Sequence, residues 1–278
     1  MKKIKLIATG GTISATGSDR LDLKDYRSGS LTIRDMITGL PEVERLADVD
    51  VEQLVNVSST NISTSDWIAL REKIHHDINE KAYDGIVITH GTNTLEETAY
   101  FLHLTVNTDK PIVFVGAQRP YSALSSDAPL NLLNAVRVAA DPAARGNGVL
   151  VVLNDEINSA REGSKTNTYR LETFQSGQLG LLGYVDPDDT VQFYREPLRK
   201  HTVHSQFARL SIERLPNVAI VYSHAGAEGD IIRFITESGK YRGIVVAGTG
   251  AGRCSPAEDE ALGEAVQNGL TVVRSSRA

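Results

Sequence analysis

Cysteine, long apolar runs and clustered basic charge are all scarce in this sequence, and each scarcity closes a class of explanation. Cys254 is the only cysteine in 278 residues, so no disulfide forms within the chain and the redox compartment stays open. No apolar run approaches the length of a membrane-spanning helix. The opening M-K-K-I-K-L-I-A-T-G-G sets positive charge before apolar residues, but Gly10-Gly11 ends that run short of signal-peptide length. Net charge is −6 and the basic residues are dispersed, which supports neither a nucleic-acid nor an anionic-membrane surface. The chain therefore reads as soluble and cytoplasmic; a periplasmic or secreted mature form with its leader removed would look the same. Neither G-x-G-x-x-G nor a Walker pattern occurs, and H-E-x-x-H and G-x-S-x-G are missing too. His201 and His204 share H-x-x-H spacing only inside a charged, proline-containing segment. No metal is expected, and nucleotide binding has little support.

What the chain does have is best seen in Gly85 to Leu102, G-I-V-I-T-H-G-T-N-T-L-E-E-T-A-Y-F-L. Ile86 to Ile88 form a β-branched run that predicts a buried strand, and His90 to Asn93 form a polar turn. A helix is expected from Thr94, with Glu97 completing a capping box and Leu95, Ala99, Leu102 and Val106 on one buried face. Thr92 and Asn93 then lie between a strand's carboxyl end and a helix amino terminus, where ligands bind in open α/β sheets. A plain connecting turn explains the same residues as well.

Other segments repeat this design. Ile4 to Ala8 predicts a strand followed by T-G-G-T-I, which holds Thr12 near the strand end. Ser14 to Ser30, with Tyr26 as its only large ring, has the composition of a surface loop or lid. Val51 to Val57 predicts a strand ending in Ser58-Ser59-Thr60-Asn61, and Ser65 a cap for a helix carrying Trp67, Leu70, Ile74 and Ile78. Pro111 to Val115 leads to G-A-Q-R-P, a helix is expected from about Asp127 to Ala140, and Gly148 to Leu153 is another strand. Such βα repeats argue for a parallel sheet covered on both sides. Asp186 to Leu215 shows no period and reads as a linker. Beyond it, strands at Val218 to Ser223, Gly243 to Ala247 and Leu270 to Val273 alternate with helices at Asp230 to Glu237 and Pro256 to Gln267. The division expected is residues 1–190, a linker over 191–215, and a small α/β domain over 216–278.

The chemistry left over is hydroxylic: Thr12, Ser59 and Thr92 at strand ends, plus Lys165 in S-K-T-N-T. A threonine hydroxyl needs a neighbouring base to become a nucleophile, and a desolvated neutral lysine can serve. From spacing alone, Lys165 reads as a solvated surface lysine.

T-G-G-T-I together with T-H-G-T-N-T-L-E-E-T-A-Y-F-L resembles the two threonine signatures of bacterial L-asparaginases. The likeness continues through K-P-I-V-F-V-G-A-Q-R-P, D-A-P-L-N-L-L-N-A-V-R-V-A, V-V-L-N-D-E-I-N-S-A-R, S-K-T-N-T and V-V-R-S-S-R, nearly the whole chain. It implies a larger flavodoxin-like α/β domain and a smaller carboxyl-terminal α/β domain. The implied reaction is hydrolysis of L-asparagine to L-aspartate and ammonia, with weaker action on L-glutamine and no cofactor. The resemblance makes Thr12 the nucleophile, Tyr26 its assistant in proton transfer, and Thr92 with Lys165 a second catalytic pair. Ser59 and Thr60 fall at substrate-binding positions, Asn93 where the substrate's ammonium is gripped, and Gly91 and Ala117 where backbone donors face the oxyanion. It further implies a homo-oligomer, a dimer of dimers.

Three departures qualify that implication. Asn93 replaces the usual aspartate of T-H-G-T-D-T, and Thr60 replaces a longer glutamine or glutamate. Members of the family also continue past V-V-R-S-S-R, with an acidic residue that completes a neighbouring subunit's site, so the carboxyl-terminal domain is expected to be shortened. These departures motivate an alternative: a catalytically impaired homologue that binds aspartate or asparagine as a sensor or interaction subunit. An asparaginase-like subunit of a transfer-RNA-dependent amidotransferase keeps the chemistry, but the acidic charge and short length give it no support.

Overall fold

Near-continuous runs of Ile, Val and Leu bury both faces of a strand, so the strands that carry them must be covered by helices on two sides. A computed structural model of the protein, describing residues 1–278, shows that arrangement. In chain order the elements begin with β1 (Lys2–Gly10), the short pair β2 (Thr16–Gly17) and β3 (Tyr26–Arg27), α1 (Ile33–Thr38) and β4 (Ala47–Val57). They continue with α2 (Thr64–Asn79), β5 (Gly85–Thr89), α3 (Leu95–Thr105), β6 (Ile112–Val115), α4 (Ala128–Ala140), β7 (Val149–Leu153) and β8 (Glu156–Ser159). The short pair β9 (Ser164–Lys165) and β10 (Phe174–Gln175) is followed by β11 (Gly183–Val185) and β12 (Val191–Phe193).

Eight strands form one sheet in the order β12-β11-β8-β7-β6-β5-β1-β4. The segment β4-β1-β5-β6-β7 is parallel throughout, and β8, β11 and β12 add antiparallel strands beyond β7. Taken by order of appearance, the parallel strands run 2-1-3-4-5, the flavodoxin-like order, which switches direction between the first and third strands. Alternation along β1 and β5 feeds two cores. Ile4, Leu6 and Val87 pack with Leu132, Ala135 and Val136 of α4. Ile7, Ile86 and Ile88 pack with Leu70 and Ile74 of α2 and Leu95, Ala99 and Leu102 of α3. Each fully buried aliphatic side chain contributes about 1.5–3 kcal/mol.

Local details differ from expectation in three places. The cap of α2 is Ser63, in a capping box with Asp66, while Ser65 stands inside the helix and bonds to Ser63 Oγ. Thr94 occupies the cap position of α3, but its backbone (φ −125°, ψ 14°) is not the extended form of a capping box. Its hydroxyl instead donates to the Ser59 carbonyl at 2.8 Å, tying the loop after β4 to the start of α3. The segment read as a linker begins as β12, the sheet's edge strand. Further along, Leu210 O accepts from the buried Arg71 guanidinium of α2 at 2.8 Å, and the His201 ring lies 4.9 Å from that of His103 on α3. An irregular stretch pinned through backbone carbonyls shows no period in its sequence, and the first compact unit runs to Ile212.

The second unit, Glu213–Ala278, holds β13 (Val218–Tyr222), α5 (Asp230–Glu237), β14 (Gly243–Gly248), α6 (Pro256–Gln267) and β15 (Thr271–Ser276). Its three strands are parallel in the order β13-β14-β15. Ile232 of α5 and Ala261, Leu262 and Ala265 of α6 cover Ile244 and Val246 of the central strand. No helix in the chain is long and apolar enough to cross a membrane.

Candidate active site

The loops leaving β1 and β5 meet at the point where strand order reverses, and glycine makes the meeting possible. Gly10 and Gly11 have φ of 103° and 93°, and a Cβ on Gly11 would lie 2.3 Å from Gly91 Cα. Backbone therefore packs on backbone, and Thr12, opening a short 3-10 turn, is brought against the Gly91-Thr92-Asn93 segment. Together they line a cleft of about 240 Å³.

Two hydrogen-bonded pairs, each with one threonine hydroxyl, occupy that cleft. Thr12 Oγ1 and Tyr26 OH lie 3.0 Å apart, Tyr26 being presented by the β2–β3 hairpin. Lys165 Nζ donates to Thr92 Oγ1 at 2.8 Å and to Asn93 Oδ1 at 2.9 Å. Burial pushes the Lys165 pKa below the ordinary lysine value, and the Glu96 carboxylate opposes part of that shift. Ser59 lies in the 3-10 turn after β4, buried against Gly91, where a Cβ would stand 2.9 Å from Ser59 Oγ. Hydroxyls from the carboxyl ends of β1, β4 and β5 thus converge.

Thr12, Tyr26, Ser59, Gly91, Thr92, Asn93 and Lys165, all singled out from sequence, line the cleft. Two other predicted positions do not. Thr60 is exposed, its hydroxyl 3.0 Å from Ser58 Oγ. Ala117 is fully buried next to Gly116, where an added Cβ would meet the Thr92 methyl at 2.8 Å. Gln118 and Lys24 line the wall and were not expected. The signal for Gln118 was available, because G-A-Q-R-P follows β6 as T-H-G-T follows β5. Gln118 Nε2 is buried without a partner, which leaves it a donor facing no protein acceptor.

His90, behind the cleft, is fixed as a neutral ring. Its Nδ1 lies 2.8 Å from Gly91 O, so it carries the proton, and Nε2 accepts from the Thr98 hydroxyl at 3.0 Å. Trp67 Nε1 donates to that same hydroxyl at 2.8 Å. Burial lowers the His90 pKa to about 4 and, with the neighbouring His201 and Arg161, that of His103 to about 3. Both rings take up protons more readily unfolded, so their stabilisation is complete above about pH 6.5 and is lost as pH falls toward the folded values. Each ring then costs about 1.4 kcal/mol per pH unit, or about 4 kcal/mol for both at pH 5. Thermal unfolding should show a midpoint several degrees lower at pH 5 than at pH 7, with a shallower dependence in His103→Asn. Equal midpoints at the two pH values would count against this.

Residues 3–199 match the family model described as asparaginase, N-terminal, and residues 217–278 match the glutaminase/asparaginase C-terminal domain. A Bacillus subtilis protein named L-asparaginase 2 is 43% identical over 277 residues, which cover 100% of this chain and 73% of that protein. The Escherichia coli protein of the same name is 42% identical, with 100% and 78% covered. Among solved structures, a probable cytoplasmic L-asparaginase from Campylobacter jejuni superposes with a TM-score of 0.96 at 39% identity, covering 100% of this chain and 84% of that one.

Proposed function

The chain belongs to the asparaginase family, and on that premise we propose that it hydrolyses the side-chain amide of L-asparagine to L-aspartate and ammonia through a threonine acyl-enzyme. The observation that carries this reading is two threonine hydroxyls in one cleft, Thr12 hydrogen-bonded to Tyr26 and Thr92 to Lys165. Thr12 Oγ1 attacks the amide carbon while its proton leaves through the Tyr26 hydroxyl. Backbone N–H groups of the Gly91-to-Asn93 turn, with the amino terminus of α3 behind them, stabilise the oxyanion. Collapse breaks the C–N bond, the nitrogen takes the proton relayed from Thr12 through Tyr26, and ammonia departs. A water then attacks the Thr12 ester, its proton taken by the Thr92–Lys165 pair, to release aspartate and restore the Thr12 hydroxyl. No step calls on a metal or cofactor.

Ser59 is the partner for the substrate's α-carboxylate. The short Thr60 side chain, turned to solvent, leaves the choice between asparagine and glutamine to the rest of the wall, so both amides are substrates in this reading. The homo-oligomeric state, a dimer of dimers, and action in the cytoplasm belong to the same proposal. Ammonia release from L-asparagine and L-glutamine by the purified chain is the direct test. No release from either, with aspartate still bound, would favour a sensor or interaction subunit instead.

Asn93 sets a limit on the proposed activity. Its Oδ1 accepts from Lys165 but carries no charge for a substrate ammonium. A charge-assisted bond is about 1–3 kcal/mol stronger than such a contact, so Asn93→Asp should raise kcat/KM for L-asparagine by roughly ten-fold or more. Steady-state kinetics decide it; an unchanged or lower kcat/KM would reject the idea.

A further inference from the structure

We propose that Glu96 is a positioning residue for Lys165, clamping the β9 backbone so that the amine is held against Thr92; this rests on the catalytic reading above. Lys165 does not stand on the eight-stranded sheet. It belongs to β9, two residues long, whose only strand partner is the equally short β10. Its ladder spans only two residue pairs, and what anchors the ribbon lies on the β10 side, where Phe174 is buried in the second core and Ser176 Oγ donates to Asn158 Oδ1 at 2.6 Å. Yet the Lys165 amine must stay at 2.8 Å from Thr92 Oγ1 for proton transfer.

The Glu96 carboxylate supplies the attachment on the β9 side. Its Oε2 accepts the Lys165 backbone N–H at 2.5 Å, and the Ser164 hydroxyl donates to Oε1 and Oε2 at 3.0 and 2.9 Å. Both β9 residues are therefore clamped to the first turn of α3. Thr92 lies four residues before Glu96, in the loop that opens this helix. One short segment thus holds Lys165 at both ends, its backbone through Glu96 and its amine through Thr92 and Asn93. The closed ring of contacts converts a flexible lysine on a thin ribbon into a fixed group. The carboxylate also places negative charge near the amine, opposing the effect of burial.

Glu97 provides an internal control. It is the next residue of the same helical turn and is exposed, while the hydrogen bonds of Ser164 and Lys165 to this turn go to Glu96. A general effect of negative charge at the helix amino terminus would appear in Glu97→Ala as well as in Glu96 variants.

The experiment has two arms. In the first, kcat and KM for L-asparagine are measured against pH for the parent, Glu96→Ala, Glu96→Gln and Glu97→Ala. Glu96→Ala should lower kcat by about 10- to 100-fold with KM within about threefold, the size expected for loosening a catalytic group by an ångström. Glu96→Gln, which keeps an acceptor but no charge, should recover most of that loss and move the acid limb of kcat to lower pH. Glu97→Ala should match the parent. In the second arm, the Lys165 amine is reductively methylated with carbon-13 and titrated by NMR in the parent and in Glu96→Gln, Lys165→Arg marking the assignment. A lower pKa in Glu96→Gln is expected, and this readout does not depend on turnover. If the parent releases no ammonia, the catalytic reading fails, while the titration still judges the link from Glu96 to Lys165. An unmoved Lys165 pKa with kcat of Glu96→Ala near that of the parent, or equal losses in the Glu96 and Glu97 variants, would overturn the proposal.

Discussion

Thr12→Ala is expected to lower ammonia release from L-asparagine by at least about 10⁴-fold while leaving the fold and aspartate binding intact. The magnitude follows from removing a nucleophile rather than a helper: what remains is the catalysis that binding and oxyanion donors supply to water alone. Structure should survive because Thr12 is the partly exposed residue of a turn held by Gly10, Gly11 and the buried Ile13, and its hydroxyl bonds to Tyr26 within the site. Thr12→Ser, which keeps the attacking oxygen, should retain measurable turnover. The comparison also tests the assignment between the two threonines. If Thr12→Ala keeps a burst of ammonia that Thr92→Ala lacks, Thr92 is the nucleophile and the roles are reversed. Rapid-quench measurement of the first turnover, with circular dichroism to verify folding, distinguishes these outcomes.

How much of the fold and the site is legible in the amino-acid sequence depends on the kind of element concerned. The β-branched run Ile86 to Ile88 is followed by a helical period in Leu95, Ala99, Leu102 and Val106, and the structure has β5 and α3 there with those side chains buried. In the second unit, α5 and α6 match their expected residues for the same reason, aided in α6 by the Ser255–Glu258 capping box and Pro256. Capping chemistry is less readable where a tertiary contact competes. Thr94 is followed by Glu97 at the right spacing, yet its hydroxyl goes to the Ser59 carbonyl across 35 residues. Least readable are the pieces with no period at all. The β2–β3 hairpin and the β9–β10 ribbon have two-residue strands, so neither reveals that Tyr26 and Lys165 face the same cleft. Composition alone leaves Lys165 an ordinary surface lysine, and only the family likeness lifts it. Its partner Glu96 is hidden for a different reason: as a first-turn acid it looks like any residue that complements a helix dipole.

Lys165→Met should lower kcat by about 10²–10⁴-fold, the range for removing a positioned general base, with a smaller change in KM. Methionine keeps most of the side-chain length and apolar stem, so the half-buried position stays filled and the loss can be ascribed to the amine. The parent's pH profile gives the second half of the test. Only the neutral amine can take a proton, so activity should rise with pH and level off once Lys165 is deprotonated. Because burial lowers its pKa, that plateau should be reached at lower pH than an ordinary lysine allows. In Lys165→Met the limb should vanish along with most of the rate. Small primary amines added to Lys165→Ala, which leaves space beside Thr92, should restore part of it, more for those with more basic nitrogen at equal size. A Lys165→Met enzyme with kcat within about threefold of the parent, or a parent profile flat where the amine titrates, would exclude Lys165 as the base and leave Thr92 to act with the Asn93 amide and solvent.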